Sequence, residues 1–172
     1  MNKEELLQKL LDIYRGSCDI EEPYDIKGDV YDAYAFCDIT NAKYVLVKKA
    51  ELWRAICFEH IFFRLFDTIT VEDISKFTES VVEQIEPSLV RKGEKYPVKD
   101  HMYSYVTGIF ICENGVPEEV KHTIKKAHYY KNYRLSIRGY CEMRILAVDL
   151  KNHKLIGNRG ARDLIKDYKR FV

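Results

Sequence analysis

The chain has 172 residues, of which 47% are apolar and 13% aromatic, and its formal net charge is +1. This length favours a single domain, 1–172, which can bury roughly 70% of the surface that its unfolded chain would expose. The composition excludes an intrinsically disordered chain, and its eight glycines and four prolines exclude low-complexity and collagen-like architectures.

The first predicted element is a helix. Asn2 can cap it, Glu5 lies three residues later as the reciprocal partner, and Gly16 ends it. An acidic, irregular stretch follows. Three strand-like runs then succeed one another with short connections, which predicts an antiparallel meander. These runs are residues 30–39, 43–49 and 55–66.

A long second helix is predicted after the meander. Thr70 caps it with Asp73 three residues later, and apolar residues recur at helical spacing as far as residue 89. Pro87 should kink or end this helix, because proline lacks the backbone N–H and clashes with the preceding turn. Residues 91–100, charged and containing Gly93, are expected to form an exposed loop.

The last third has the clearest pattern. A strand over 103–112, a helix over 118–130 and a strand over 140–150 predict a right-handed parallel βαβ unit. A hairpin turn at 151–154 and a closing helix over 161–171 complete the chain. We therefore predict the α+β class, with a mixed sheet made of the meander plus the βαβ unit and helices packed on it.

Charge is distributed unevenly along the sequence. Residues 121–172 hold 14 Lys and Arg against 4 Asp and Glu, a balance of +10, whereas residues 1–120 have a balance of −9. Six cations of the last third are candidates for binding an anion: Lys121, Lys125, Lys131, Arg134, Arg138 and Arg159. The tyrosines between them are typical of a surface that neutralises phosphates and stacks bases. A solvated helix face that pairs with the acidic part of the chain explains them as well.

The N-terminal sequence and the cysteine pattern indicate the cellular compartment of the protein. No apolar run approaches the ~20 residues of a membrane span, and no signal-peptide pattern follows Met1. We therefore expect a cytoplasmic protein with no membrane partner. The five cysteines form no CxxC pair, which favours buried reduced thiols over disulfides or metal ligands. They are Cys18, Cys37, Cys57, Cys112 and Cys141.

The predicted strand order is similar to that of nucleases of the restriction-endonuclease-like fold. Their chemistry needs separate carboxylates that hold a metal ion, and a lysine two residues after one of them. Asp149 and Lys151 have this spacing, but four such pairs occur here and chance predicts about three. The best further metal candidates are Asp38 and Glu59. An inactive, divergent relative of these nucleases is therefore easier to defend than an active one.

His101 and Ser104 are the other candidates for catalysis. They place an imidazole and a hydroxyl at the start of the predicted strand over 103–112. A histidine hydrogen-bonded to a backbone carbonyl is the more common structure at such a position. No nucleophile elbow, Walker motif or zinc-ligand set occurs in the sequence.

Four segments resemble a small bacterial family of uncharacterised proteins, a domain of unknown function. They are His101 to Gly108, Gly139 to Arg144, Ala147 to Leu150 and Lys48 to Trp53. The resemblance implies a free-standing bacterial cytoplasmic protein and no particular activity. It directs mutagenesis to His101, Ser104, Arg144 and Trp53.

We expect a binding or interaction protein, more readily than an enzyme, that uses the basic, tyrosine-rich last third. Its partner is expected to be a protein or an anionic ligand; nucleic acid is permitted but not favoured, and no cofactor is expected. One alternative is a divergent, metal-dependent nuclease-like domain. The other is a self-associating protein in which acidic and basic regions of different subunits meet. The sequence does not decide the oligomeric state.

Overall fold

The computed structural model describes residues 1–40 and 55–172 and confirms the α+β class. Four α-helices occur in the described residues, and the second continues as a π-helix over Val81–Val90. The helices are α1 (Lys3–Tyr14), α2 (Val71–Ser80), α3 (Glu118–Lys126) and α4 (Arg162–Tyr168). The strands are β1 (Asp19–Glu21), β2 (Tyr24–Ile26), β3 (Asp29–Tyr31), β4 (Ala33–Asp38), β5 (Ile56–Phe66), β6 (His101–Cys112), β7 (Tyr130–Asn132), β8 (Tyr140–Asp149) and β9 (Lys154–Gly157).

The main sheet is mixed. Its order is β1-β4-β5-β6-β8-β7, with β9 also on β8, while β2 and β3 form a small hairpin of their own. The strands β5, β6 and β8 are parallel to one another, and the remaining pairs are antiparallel. The predicted βαβ unit and the hairpin after it are therefore confirmed. The antiparallel pairing of β4 with β5 agrees with the meander, whose predicted middle strand, 43–49, lies outside the described residues.

Helices cover both faces of the sheet because the central strands are apolar on both sides. The first face packs against α2, the π-helix and α3 through buried side chains such as Phe77, Ile85 and Ile124. The second face packs against α1 and α4 through Leu10 and Leu164, among others. The hydroxyls of Tyr14 and Tyr168 lie 2.8 Å apart and join the two helices of the second face.

Local sequence signals account for both long helix starts. Asn2 and Glu5 form a reciprocal capping box at α1, and Thr70 and Asp73 form another at α2, as predicted. Pro87 does not end its helix: the turns widen to π-helical pitch, and the helix continues to Val90. A wider turn tolerates the missing N–H and relieves the clash of the proline ring with the carbonyl four residues earlier.

Two other predictions of local structure need correction. The predicted helix over 118–130 ends at Lys126, because Ala127 leaves helical geometry with ψ 125°. Tyr130 then begins β7, a strand that the sequence pattern did not indicate. Likewise, the stretch before residue 30 is not wholly irregular, since β1 pairs with β4 at the edge of the sheet.

The cysteines also depart in part from expectation. Cys57, Cys112 and Cys141 are buried and form no disulfide among the described residues, but Cys18 and Cys37 form one. The register explains this pair. Asp19 lies opposite Phe36 in an antiparallel pair, and Cys18 precedes Asp19 while Cys37 follows Phe36, so the two cysteines are also opposite each other. Their Cα atoms are 4.4 Å apart, close to the spacing of a non-hydrogen-bonded antiparallel pair. The prediction of five reduced thiols is therefore wrong for this pair.

Candidate functional site

His101 and Ser104 are brought together at the start of β6. His101 Nε2 lies 2.8 Å from Ser104 Oγ, and His101 Nδ1 lies 2.8 Å from the carbonyl oxygen of Arg138. Because that carbonyl can only accept, Nδ1 carries the proton and Nε2 accepts from the serine hydroxyl. Burial lowers the pKa of His101, which favours this neutral form.

The serine hydroxyl donates to the imidazole, as a nucleophile does to its general base, but neither side chain is accessible to a substrate. Ser104 is completely buried and His101 is 3% exposed. A substrate could not reach the hydroxyl without displacing the core around it. What the contacts do achieve is to join the start of β6 to the segment before β8.

Asp149 and Lys151, the other candidates for catalysis, lie at the opposite end of the strands. Asp149 is buried and accepts hydrogen bonds from the backbone N–H of Val116 and from the backbone and side chain of Asn152. Burial alone would raise the pKa of Asp149, but these hydrogen bonds outweigh it and hold the pKa below its usual range. The carboxylate therefore organises two turns, while Lys151 is exposed.

The three metal candidates do not converge. Glu59 lies at the level of Tyr105 and Glu142, and Asp149 follows Glu142 by seven residues, about 23 Å along the strand. Asp38 pairs with Phe58, so it points to the sheet face opposite Glu59. Within 1–40 and 55–172, no three His, Cys, Asp or Glu side chains are placed to hold a metal ion. The nuclease-like arrangement of these carboxylates is thus not formed.

The predicted anion-binding cations lie on three separate parts of the chain. Lys121 pairs with Glu118 at 2.6 Å, and Lys125 is exposed on the same helix, α3. Lys131, Arg134 and Arg138 lie on β7 and in the turn that follows it. Arg159 is exposed in the short 3-10 helix before α4. The cations of β7 and its turn are the part that a compact ligand or partner could contact.

Glu86 was missed by sequence reasoning and is the most completely buried carboxylate of the π-helix. It accepts hydrogen bonds from Arg91 Nε at 2.7 Å, from Tyr133 Oη at 2.6 Å and from Lys131 Nζ at 3.2 Å. Burial alone would raise the pKa of Glu86, but the three hydrogen bonds together hold it below its usual range. The carboxylate therefore stays charged and ties β7 to the π-helix.

Four tyrosines form a continuous aromatic surface on the second face of the sheet, and we call it the tyrosine face. Tyr140 has ring centroids at 5.9 Å from Tyr103 and 5.2 Å from Tyr130, both in stacked orientation. Tyr105 lies 4.7 Å from Tyr103 and its hydroxyl is 3.3 Å from that of Tyr140. Tyr130, at 48% exposure, opens this surface to solvent.

Arg144 lies beside the tyrosine face. Its guanidinium carbon is 3.2 Å from the centroid of the Tyr105 ring, and its Nη1 is 3.7 Å from Glu59 Oε1. The same carboxylate oxygen accepts a hydrogen bond of 2.7 Å from Thr107. Arg144 Nε is buried and has no hydrogen-bond partner among the described residues. Alternation along three neighbouring strands, β5, β6 and β8, places these side chains on one face.

His60 lies on the first face of the sheet, on the interior strand β5. Its Nδ1 lies 2.7 Å from the Tyr34 hydroxyl, and its Nε2 is buried without a hydrogen-bond partner among the described residues. Burial lowers the pKa of His60 to about 4. The imidazole is therefore neutral at neutral pH.

A family model described as Domain of unknown function (DUF8052) matches residues 2–170, nearly the whole chain. This match confirms the predicted resemblance to an uncharacterised family. No curated protein and no solved structure matches the chain. In the described residues, no helix is both long and apolar enough to cross a membrane. Trp53, the fourth residue singled out by the resemblance, lies outside the described residues.

We predict that stability falls as the pH drops from about 6.5 to about 4. In this window an unfolded histidine binds a proton that folded His60 does not, so protons favour the unfolded state. Between pH 7 and pH 5 the loss is about 2 kcal/mol for this residue, and His101 adds to it in the same direction. Urea unfolding at both pH values measures the difference.

The variant His60→Phe should remove the His60 part of this pH dependence, whereas His122→Gln, at an exposed site on α3, should keep it. Equal pH dependence in the wild type and in His60→Phe would contradict the assignment. Carboxylates whose pKa is lowered, such as Asp149, become protonated only at lower pH. Their contribution to stability therefore changes little between pH 7 and pH 5 and does not affect the comparison of the two variants.

Proposed function

We propose a function for this chain, which belongs to the family described as Domain of unknown function (DUF8052): it is a binding protein whose ligand lies on the tyrosine face. The ligand is an anion that carries a flat ring. The observation that carries this proposal is the Arg144 guanidinium beside a continuous aromatic surface, since its Nε has no hydrogen-bond partner in the part of the chain that the structure describes.

The aromatic surface supports the flat part of the ligand. Tyr130 and Tyr140 stack on each other across neighbouring strands, and Tyr130 is half exposed. A ring stacked on such a side chain contributes about 1–3 kcal/mol. Tyrosine is also suited to a binding surface because it has a large contact area and little side-chain entropy to lose.

The charged part of the ligand is supported by Arg144. Its contact with Glu59 is long, at 3.7 Å, and Thr107 already satisfies the same carboxylate oxygen. An unsatisfied buried N–H costs about 1–3 kcal/mol, and an anion that accepts from it would recover this cost. Stacking on Tyr105 fixes the plane of the guanidinium in advance, so that little side-chain entropy is lost when the anion binds.

A binding role is favoured over a catalytic one by the placement of the titratable groups. The histidine and serine of β6 are buried on the other face of the sheet, and Asp149 organises turns at the far end of the strands. The tyrosine face presents hydroxyls, and Arg144 and Glu59 beside it add a guanidinium and a carboxylate. We expect these groups to orient a ligand by stacking and hydrogen bonding.

The proposal includes a bacterial cytoplasmic location. A reducing compartment is supported by three buried cysteines that form no disulfide within the described residues, Cys57, Cys112 and Cys141. The disulfide between Cys18 and Cys37 weighs against it, because glutathione and thioredoxin keep cytoplasmic thiols reduced. The two observations agree if this pair is a dithiol in the cell.

We predict that adenosine monophosphate binds the protein, whereas adenosine and inorganic phosphate, each with only half of the recognised chemistry, bind at least about tenfold more weakly. Titration calorimetry of the full chain measures all three affinities. Arg144→Lys should weaken binding of the nucleotide at least about tenfold, since lysine keeps the charge but lacks Nε and the planar fork. Tyr130→Ala should do the same by removing a stacked ring.

The controls are Lys154→Arg, which exchanges the same two cations in the reverse direction, and Tyr96→Ala, which removes a tyrosine ring; both sites lie away from the tyrosine face, and both variants should bind as the wild type does. If adenosine monophosphate does not bind, or if Arg144→Lys and Tyr130→Ala leave its affinity unchanged, the proposal fails. Circular dichroism of each variant shows that it is folded.

The location proposal makes a separate prediction about thiols. Alkylation inside intact bacterial cells that express the chain, followed by mass spectrometry, should label Cys18 and Cys37 as well as the three buried cysteines once the protein is unfolded. After aerobic purification the same procedure should label three. A disulfide that persists in the cytoplasm would contradict the proposed location.

A further inference from the structure

The turn between β7 and β8, residues 133–139, exposes apolar side chains at its tip. Leu135 is 94% exposed and Ile137 is 69% exposed, the two highest values among the large hydrophobic side chains described. Arg134 and Arg138 flank them in sequence. Burying these two aliphatic side chains against a partner would remove apolar area from water and so favour association.

The backbone of this turn is held in an unfavourable conformation. Arg134, Leu135 and Ser136 have φ of 52°, 51° and 67°, so three successive residues other than glycine are left-handed. This conformation is unfavourable for a residue with a side chain, because it places Cβ too close to the following carbonyl oxygen. Such strain persists only where the surroundings determine the conformation, and it concentrates at functional surfaces.

Several contacts maintain the turn. Asn132 accepts from the Ser136 N–H and donates to its hydroxyl, both at 2.6 Å. The Arg138 carbonyl accepts from His101. Gly139 packs so closely that an added Cβ would lie 2.1 Å from the Met102 carbonyl oxygen. The apolar tip is therefore presented in a fixed shape, which reduces the entropy lost on binding.

A complementary surface lies at the other edge of the sheet. A cavity of about 270 Å³ is lined by Phe36 and by the carboxylates of Asp19 and Asp38. Arg15 also borders it, but this cation already pairs with Asp12 at 2.7 Å and with Glu22 at 2.9 Å. This acidic corner therefore combines negative charge with an apolar wall.

The strand order places the two corners at the same end of the sheet. β7 ends where β8 begins, and β1 begins where β4 ends, opposite the start of β5. The basic corner, residues 133–139, and the acidic corner are thus at opposite edges of one end. A two-fold axis normal to the sheet, placed at that end, would bring each basic corner against the acidic corner of a second copy.

We propose that the protein forms a two-fold symmetric dimer in which the basic corner of each copy, with Leu135 and Ile137, docks into the acidic corner of the other. The contact occurs twice, so the assembly closes and does not grow into a filament. Opposite charges at both contacts fix the orientation and make the association salt-dependent.

Charge reversal with complementation tests this dimer. Sedimentation equilibrium of the full chain at low salt should give twice the chain mass of 20.3 kDa, and the dimer fraction should fall as salt rises. The variant Arg134→Glu/Arg138→Glu and the variant Asp19→Lys/Asp38→Lys should each be monomeric, because each alone opposes like charges. An equimolar mixture of the two should be dimeric, since both contacts are then complementary.

Two further variants separate the surface from general effects. Leu135→Ser/Ile137→Ser should raise the dissociation constant of the dimer at least about tenfold without changing the urea midpoint of unfolding. Lys125→Glu/Lys126→Glu changes the net charge as much as Arg134→Glu/Arg138→Glu does, but at exposed residues of α3. This variant should remain dimeric. A wild type that is monomeric at every salt concentration, or a mixture of folded charge-reversed variants that stays monomeric, would overturn the proposal.

Discussion

The buried carboxylate of Glu86 is the constraint on which the last third of the molecule depends. A fully buried charge costs several kcal/mol unless it is paired and hydrogen-bonded. Glu86 obtains its partners from three places: Arg91 after the π-helix, Lys131 on β7 and Tyr133 at the start of the turn. The short edge strand and the turn are therefore fixed to the first part of the chain. The charge of the sequence changes from acidic to basic at about residue 120. Glu86, in the acidic part, binds Arg91 before this boundary and Lys131 after it.

The parallel strands divide the polar groups into separate ends and faces. In open sheets with parallel strands, ligands usually bind beyond the carboxyl ends of the strands. That end is occupied here by Asp149, which accepts hydrogen bonds from Val116 and Asn152 and joins two turns. Arg144 Nε, which has no hydrogen-bond partner among the described residues, lies instead on the second face, where Arg144 and the tyrosine face are adjacent. This placement supports the proposed binding role.

Local signals predicted the elements whose causes are local. Asn2 and Thr70 cap helices through side chains three residues apart, and the apolar run at 103–112 is long enough to indicate a strand. The features missed depend on contacts between distant residues. β7 is only three residues long and exists because it pairs with β8. The disulfide requires the pairing of β1 with β4, and the π-helix past Pro87 requires tertiary packing.

The same distinction applies to the candidate site. The sequence brought His101 and Ser104 together correctly, because three residues separate them and the histidine begins the strand. It could not bring Arg144 to Glu59 and Thr107, since these residues come from three strands whose order is set by the whole sheet. Nor could it indicate that Asp38, Glu59 and Asp149 lie apart. The spacing of residues in the sequence indicates which functional groups are present, whereas the strand register determines which of them are adjacent.

Hydrogen exchange of the variant Glu86→Gln tests the central role of this carboxylate most directly. Glutamine keeps the size of the side chain but removes the charge that binds Arg91 and Lys131. We predict that amides of residues 131–139 exchange at least about tenfold faster, while those of β5 and β6 keep their protection. Unchanged protection of residues 131–139, or an equal loss throughout the molecule, would contradict the account.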